Sequence, residues 1–195
     1  MHKNRSMFIK KYEKITPVEY KNKAEDITVY YEFYRSPFGK FLLAVTQNRI
    51  CNLYFTSRYN KEYTVNELKK FWPYSSIEKN RQFTEKYAYE IERYFNSKQN
   101  IKSRLFLKGT PFQVKVWESL LQIPHGRIIS YKDVSLLIGM PKSSRAVANA
   151  IGRNPIALII PCHRVIRKSG QFGGYRWGLE IKKTLIEWES IHTKK

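Results

Sequence analysis

The chain is short of cysteine, of histidine clusters, of long apolar runs and of acidic residues. Only Cys51 and Cys162 occur in 195 residues, far apart and without a repeated spacing. No disulfide framework is expected, and a free thiol suits a reducing compartment. The four histidines, His2, His125, His163 and His192, make no CxxC or HxxxH cluster, which removes the usual ligand sets of a structural zinc site. No metal and no other cofactor are expected. No apolar run approaches membrane-spanning length, and no apolar h-region follows the charged start Met1-His2-Lys3-Asn4-Arg5. Neither a membrane span nor a signal peptide is therefore expected, and the cytoplasm, or the nucleus in a eukaryotic cell, is the expected location.

The acidic deficit is the most telling shortage. Against 36 Lys and Arg stand 16 Asp and Glu, a formal net charge of +20 with a pI near 9.9. Such an excess points to a polyanionic partner, because each phosphate neutralised by Lys or Arg releases condensed counterions. A generally basic protein with lysines scattered over solvated faces is the plainer explanation. The distribution argues against it: residues 100–195 hold 17 basic and 5 acidic residues, residues 1–99 hold 19 and 11. The acid-poor half is also the half with the chemical motif.

That motif is Ile159-Ile160-Pro161-Cys162-His163-Arg164-Val165-Ile166, a thiol and an imidazole on adjacent residues between two apolar runs. A cysteine in an apolar strand is usually there for packing. As a nucleophile it must become a thiolate, which at neutral pH takes a nearby base or a positive field. His163 and Arg164 are on hand to supply them.

At this length the chain can build one large or two small cores. The first half reads as α+β. Val29–Tyr34, Lys40–Val45 and Ile50–Phe55 are rich in β-branched and aromatic residues and are separated by the turn signals Ser36-Pro37-Phe38-Gly39 and Gln47-Asn48-Arg49, which predicts three antiparallel strands. Cys51 faces packing there and is given no chemistry. Helices are predicted over Val65–Phe71 and Gln82–Asn96, the second with a core stripe of Phe83, Tyr87, Ile91 and Tyr94. Ser97–Lys108 is polar and irregular and reads as a linker.

The second half opens with Thr110 as N-cap and Pro111 at the first helical position, followed by an apolar stripe of Phe112, Val116, Trp117, Leu120 and Leu121. A short helix over Val134–Ile138 is stopped by Gly139-Met140-Pro141. A third, alanine-rich helix runs from about Ser143 to Arg153. The pair has the outline of a helix-turn-helix, a weak signal alone because ordinary helical hairpins share it.

The order Asn154-Pro155, apolar run, Pro161-Cys162-His163-Arg164, then Gly173-Gly174-Tyr175-Arg176-Trp177-Gly178 resembles the O6-alkylguanine-DNA alkyltransferases, repair proteins that remove alkyl groups from O6 of guanine. The resemblance covers residues 110–189 throughout and, more loosely, residues 28–96. It implies an α+β protein: a small N-terminal antiparallel sheet with helices, ribonuclease H-like, followed by a helical, winged helix-turn-helix-like catalytic domain. The expected division is a basic N-terminal segment over 1–27, the α+β domain over 28–96, a linker over 97–108, and a DNA-binding and alkyl-transfer domain over 109–195.

The resemblance also implies roles. Cys162 is the nucleophile, and the alkyl group stays on it, so each molecule acts once. His163 is the base acting through a water, and a carboxylate orients the imidazole. Glu187 and Glu189 both compete for that place, and the register from Tyr175 through Leu179 favours Glu189. Asn154 is the hinge that ties the recognition helix to the active-site strand. The helix carrying Ala146 and Ala148 enters the minor groove of double-stranded DNA, Arg145 takes the place of the flipped base, and Tyr131 crowds the phosphate and donates toward N3 of guanine. Tyr175, Arg176 and Trp177 line the base pocket, with Trp177 limiting alkyl size or else turned inward to the core. The substrate is O6-alkylguanine, with O4-alkylthymine left open, and the protein is expected to act as a monomer.

Two other readings are available. Some relatives bind lesions without a cysteine, but this chain has one. A transcriptional regulator would use the helix-turn-helix and leave Cys162, His163 and Glu189 without a purpose.

Overall fold

The computed structural model describes residues 12–56, 60–97 and 100–193. Strand β1 (Tyr12–Ile15) is followed by α1 (Pro17–Lys23), whose start is fixed by a capping box between Thr16 and Glu19 with Pro17 in the first turn. Then comes a meander of β2 (Thr28–Ser36), β3 (Gly39–Thr46) and β4 (Arg49–Phe55). Gln47 and Asn48, both at positive φ, make the tight connection between β3 and β4. This is the antiparallel sheet read from the sequence. Its register sets Phe33 opposite Leu42 and Leu42 opposite Tyr54.

Helix α2 (Lys61–Phe71), strand β5 (Ser76–Lys79), helix α3 (Arg81–Ser97) and strand β6 (Leu105–Lys108) complete this half. The sheet has six strands in the order β1-β6-β4-β3-β2-β5, and β1, β5 and β6 join it in parallel pairings. The sequence missed all three. Each is four residues long, and the partner that stabilises it lies far away in the chain. Residues 12–27, read as part of a basic segment outside the domain, thus supply a strand and a helix to it. Residues 97–108, read as an irregular linker, end in β6, where Leu105, Phe106 and Leu107 are buried. The α3 stripe is also corrected: Tyr87, Ile91 and Tyr94 are buried, but Phe83 is 44% exposed and stacks on Tyr30 at 4.0 Å.

The second half is helical. Helix α4 (Pro111–Leu120) starts on a capping box of Thr110 and Gln113. Strand β7 (Ile129–Ser130) leads directly into α5 (Tyr131–Leu137), three residues earlier than the sequence suggested, because Ser130 and Asp133 form a third capping box. After Gly139, at φ 71°, comes α6 (Ser144–Gly152), packed against α4 and α5. Trp117 of α4 is buried and its indole N–H donates to the Ala150 carbonyl at 2.8 Å. Strand β8 (Val165–Ile166) pairs in parallel with β7, and α7 (Leu179–Thr193) closes the chain against the Cys162–Arg164 turn.

The two halves are joined by backbone. Leu53 of β4 donates to the Pro155 carbonyl and accepts from Ala157 N–H, both at 3.0 Å. The central sheet therefore continues for one bridge into the segment that leads to Cys162. No helix among the described residues is long and apolar enough to cross a membrane.

Candidate active site

Cys162 opens a short 3-10 turn, Cys162–Arg164. The run before it is not the expected strand. Beyond its one bridge to Leu53 it is a series of tight turns, with Ile160 N–H donating to Ile156 O at 3.1 Å and Cys162 N–H to Ile160 O at 2.7 Å. Leu158 sits at φ 66°, a region costly for a branched side chain, roughly 1 kcal/mol or more. Asn154 holds this loop in place. Its carbonyl accepts from Ile156 N–H at 2.9 Å, and its amide nitrogen donates to Ile160 O at 2.9 Å and to the Cys162 sulfur at 3.1 Å. One fully buried side chain thereby folds the loop and touches the thiol.

Burial pushes the Cys162 thiol up to about 11, only partly offset by the Asn154 hydrogen bond and the Lys182 cation. The resting sulfur at neutral pH is a thiol, and its reaction needs a base. His163 is fully buried, and its Nε2 lies 2.8 Å from Glu189 Oε1. A carboxylate only accepts, so Nε2 carries the proton and Nδ1 keeps the lone pair. Nδ1 is buried without a hydrogen-bond partner. Burial also moves the His163 pKa down against the pull of Glu189, which keeps the ring neutral and proton-accepting at pH 7.

Glu189 is the carboxylate at this site, and Glu187, two residues away on α7, is exposed. Both Glu189 oxygens are saturated: Arg164 donates through Nε at 2.9 and 3.1 Å and through Nη2 at 2.7 Å, and Gly126 N–H donates to Oε2 at 3.0 Å. Burial pushes the Glu189 carboxyl up, but His163 and Arg164 outweigh it and hold it well below the usual carboxylate range. Arg164 is thus committed to Glu189 and, through Nη1, to the Ile123 carbonyl at 2.5 Å. The positive field expected from Arg164 at the thiol comes instead from Lys182, whose ammonium donates to Val165 O at 2.6 Å. The sequence reading missed Lys182, Gly126 and His125. His125 lies 4.0 Å from Glu189 and is lowered by burial to about 4. The turn Ile123-Pro124-His125-Gly126 follows α4 closely, but nothing local in the sequence says that it reaches a carboxylate 63 positions further on.

A cavity of about 470 Å³ opens onto Cys162, lined among others by Tyr131, Ala148, Asn149, Tyr175, Arg176 and Trp177. Larger clefts of about 640 and 630 Å³ lie elsewhere and contain neither a cysteine nor a histidine. Tyr131 sits at the first position of α5 and packs so closely on Gly173 that a Cβ there would come within 2.3 Å of its hydroxyl. Tyr175 is buried, with its hydroxyl facing Cys162. Trp177 is buried too, 5.1 Å from the Tyr175 ring and 6.3 Å from that of Tyr54, while still lining the cavity. Arg145 and Ala146 are exposed on the outer face of α6, and Ala148 is half-buried where that face meets the cavity. The guanidinium of Arg176 turns away from the cavity to Glu67 of α2.

Two family models match the chain. Residues 29–107 match the ribonuclease-like domain of 6-O-methylguanine DNA methyltransferase, and residues 111–191 match its DNA-binding domain. A methylated-DNA–protein-cysteine methyltransferase of Methanosarcina barkeri is 39% identical over 83% of this chain and 97% of its own. The crystal structure of the Mycobacterium tuberculosis O6-methylguanine methyltransferase superposes with a TM-score of 0.68 at 32% identity, covering 84% of this chain and 93% of that one. A structure of the mycobacterial protein in complex with DNA gives 0.65, also at 32% identity, over 83% and 93%.

Proposed function

The chain belongs to the 6-O-methylguanine DNA methyltransferase family, and from that premise we propose that it repairs O6-alkylguanine by moving the alkyl group onto Cys162. It is a DNA-binding repair methyltransferase. What carries the assignment to Cys162 is a thiol that lines the cavity and is touched from behind by Asn154, next to a buried imidazole with a free lone pair and a buried carboxylate that fixes its tautomer.

His163 Nδ1 takes the thiol proton through an intervening water. The thiolate attacks the alkyl carbon, a sulfur–carbon bond forms, and the carbon–O6 bond breaks with its electron pair going to the guanine. Tyr131 delivers a proton to N3 as the guanine leaves, and the proton held by His163 returns through water to the Tyr131 phenolate, so a neutral guanine is released and both side chains are reset. Glu189 stabilises the imidazolium that forms in between. A thioether is stable, and no group at the site can break it, so transfer is stoichiometric.

O6 is inaccessible to a buried thiol while the base is stacked, and the target must leave the helix. Helix α6 lies in the minor groove with its alanine face inward, Arg145 fills the vacated stack, and the protein works as a monomer. Arg145 is exposed and lies outside the cavity lining, as that role requires. In Arg145→Ala the rate on an O6-methylguanine duplex should drop at least about tenfold, while inactivation by the free modified base stays within about twofold, since a free base needs no extrusion. Equal losses on both substrates would make Arg145 a structural residue.

A further inference from the structure

We propose that the first domain sets the size of alkyl group accepted: Glu67 and Tyr54 clamp Arg176 and so hold its neighbour Trp177 against the cavity containing Cys162. This rests on the reading of that cavity as the alkyl pocket. Neither Glu67 nor Tyr54 touches the thiol, and they act as positioning residues.

Arg176 Nη2 lies 3.0 Å from Glu67 Oε2, joining the pocket wall to α2, and the guanidinium carbon sits 4.9 Å from the Tyr54 ring centre. The platform is itself rigid. Tyr54 is 2% exposed, its hydroxyl accepts from Asn52 Nδ2 at 2.7 Å, and Asn52 Oδ1 accepts from the Trp72 indole N–H at 2.7 Å. The Trp177 ring also packs against Tyr54, with ring centres 6.3 Å apart and a tilt of 33°.

Strand β4 therefore grips the site on two sides. Through Leu53 it holds the segment leading to Cys162, and through Tyr54 it holds the wall that carries Trp177. The crevice between this wall and the first domain, bordered by Tyr63 and Glu67, has only about 40 Å³ free. An indole has no room to withdraw while the clamp is closed. A methyl group needs no withdrawal. A benzyl group does, and overlap in a packed site is costly.

The test measures inactivation of the full chain by free O6-methylguanine and free O6-benzylguanine. Trp177→Gly should raise the benzyl-to-methyl rate ratio at least about tenfold. Glu67→Ala, a substitution that favours its helix, should raise the ratio about two- to fivefold, the scale of a partly exposed ion pair, without slowing methyl transfer from a duplex. Combined with Trp177→Gly, Glu67→Ala should add nothing, because the wall it positions is gone. An unchanged ratio in Glu67→Ala with normal methyl transfer overturns the clamp alone, as does full additivity in the double variant. A wild-type chain that takes up no methyl from an O6-methylguanine duplex overturns the clamp together with the function it rests on.

Discussion

Cys162→Ala should abolish alkyl transfer and leave affinity for duplex DNA within about twofold, because the side chain that reacts and the side chains that meet phosphate occupy different surfaces. The thiol is 3% exposed at the floor of the cavity. The cations that face solvent on the same half, Lys142 and Arg145 at the start of α6 and Lys168 beyond β8, are unaffected by its loss. Cys162→Ser is expected to be as inactive as the alanine variant. A hydroxyl is far less acidic than a thiol, and the site already raises the thiol to about 11, so His163 has no means of ionising a serine there. Methyl transfer to the alanine variant would remove Cys162 from the chemistry, and loss of DNA binding alongside transfer would show that the residue shapes the interface as well.

Glu189→Gln should cost the fold about 3–5 kcal/mol, since it leaves a fully buried Arg164 guanidinium without its countercharge. In a protein of this size that corresponds to a fall in melting temperature of roughly 6–20 °C. The same change puts an amide, which can donate as well as accept, opposite His163 Nε2, so the tautomer is no longer fixed and the imidazolium loses its countercharge, and the transfer rate of whatever remains folded should fall as well. The pH dependence has a definite sign. A carboxyl held low in the folded state binds its proton less readily than in the unfolded chain, so its stabilisation is complete above the ordinary carboxylate range and is lost as pH falls below about 4 toward the folded value. The wild-type chain should therefore lose more stability than Glu189→Gln on going from pH 5 to pH 3. His163 and His125, both lowered by burial, also destabilise the fold as they are forced to charge below about pH 6.5, and they do so in both proteins. Unfolding by denaturant across this range checks the claim, and a variant within about 1 kcal/mol of wild type at pH 7 would contradict the structural part of it.

The parts of the molecule that were legible in the sequence are those whose signal is local. The meander from Thr28 to Phe55 has β-rich runs and turn residues at short range, and Thr110-Pro111 announces a helix by itself. The thiol, imidazole and arginine of Pro161-Cys162-His163-Arg164 stand together in the chain, so the motif was read before the fold was. What failed were the features decided by partners elsewhere. Strands β1 and β6 exist because each supplies the other's edge across some 90 residues. Phe83 has the spacing of a core residue, but it lies outside the arc of α3 that faces the sheet, and Tyr30 offers it a surface stack instead. Arg164 stands close enough in the chain to serve as a cation for the thiol, yet residues two apart on a 3-10 turn point in different directions, and its guanidinium finds Glu189 on α7. Glu189 could be separated from Glu187 only by register, and helix geometry gives the physical reason: Leu185 and Glu189, four apart, share the buried face of α7, whereas Glu187 does not.

The most direct measurement is mass spectrometry of the Cys162 peptide after the chain is incubated with a duplex containing one O6-methylguanine. The account predicts a gain of one methyl group on Cys162, an equal amount of guanine restored in the DNA, and saturation at one methyl per chain however much duplex is added. A methyl group found on Cys51 or another residue, or restoration of guanine that continues beyond one equivalent, would contradict it.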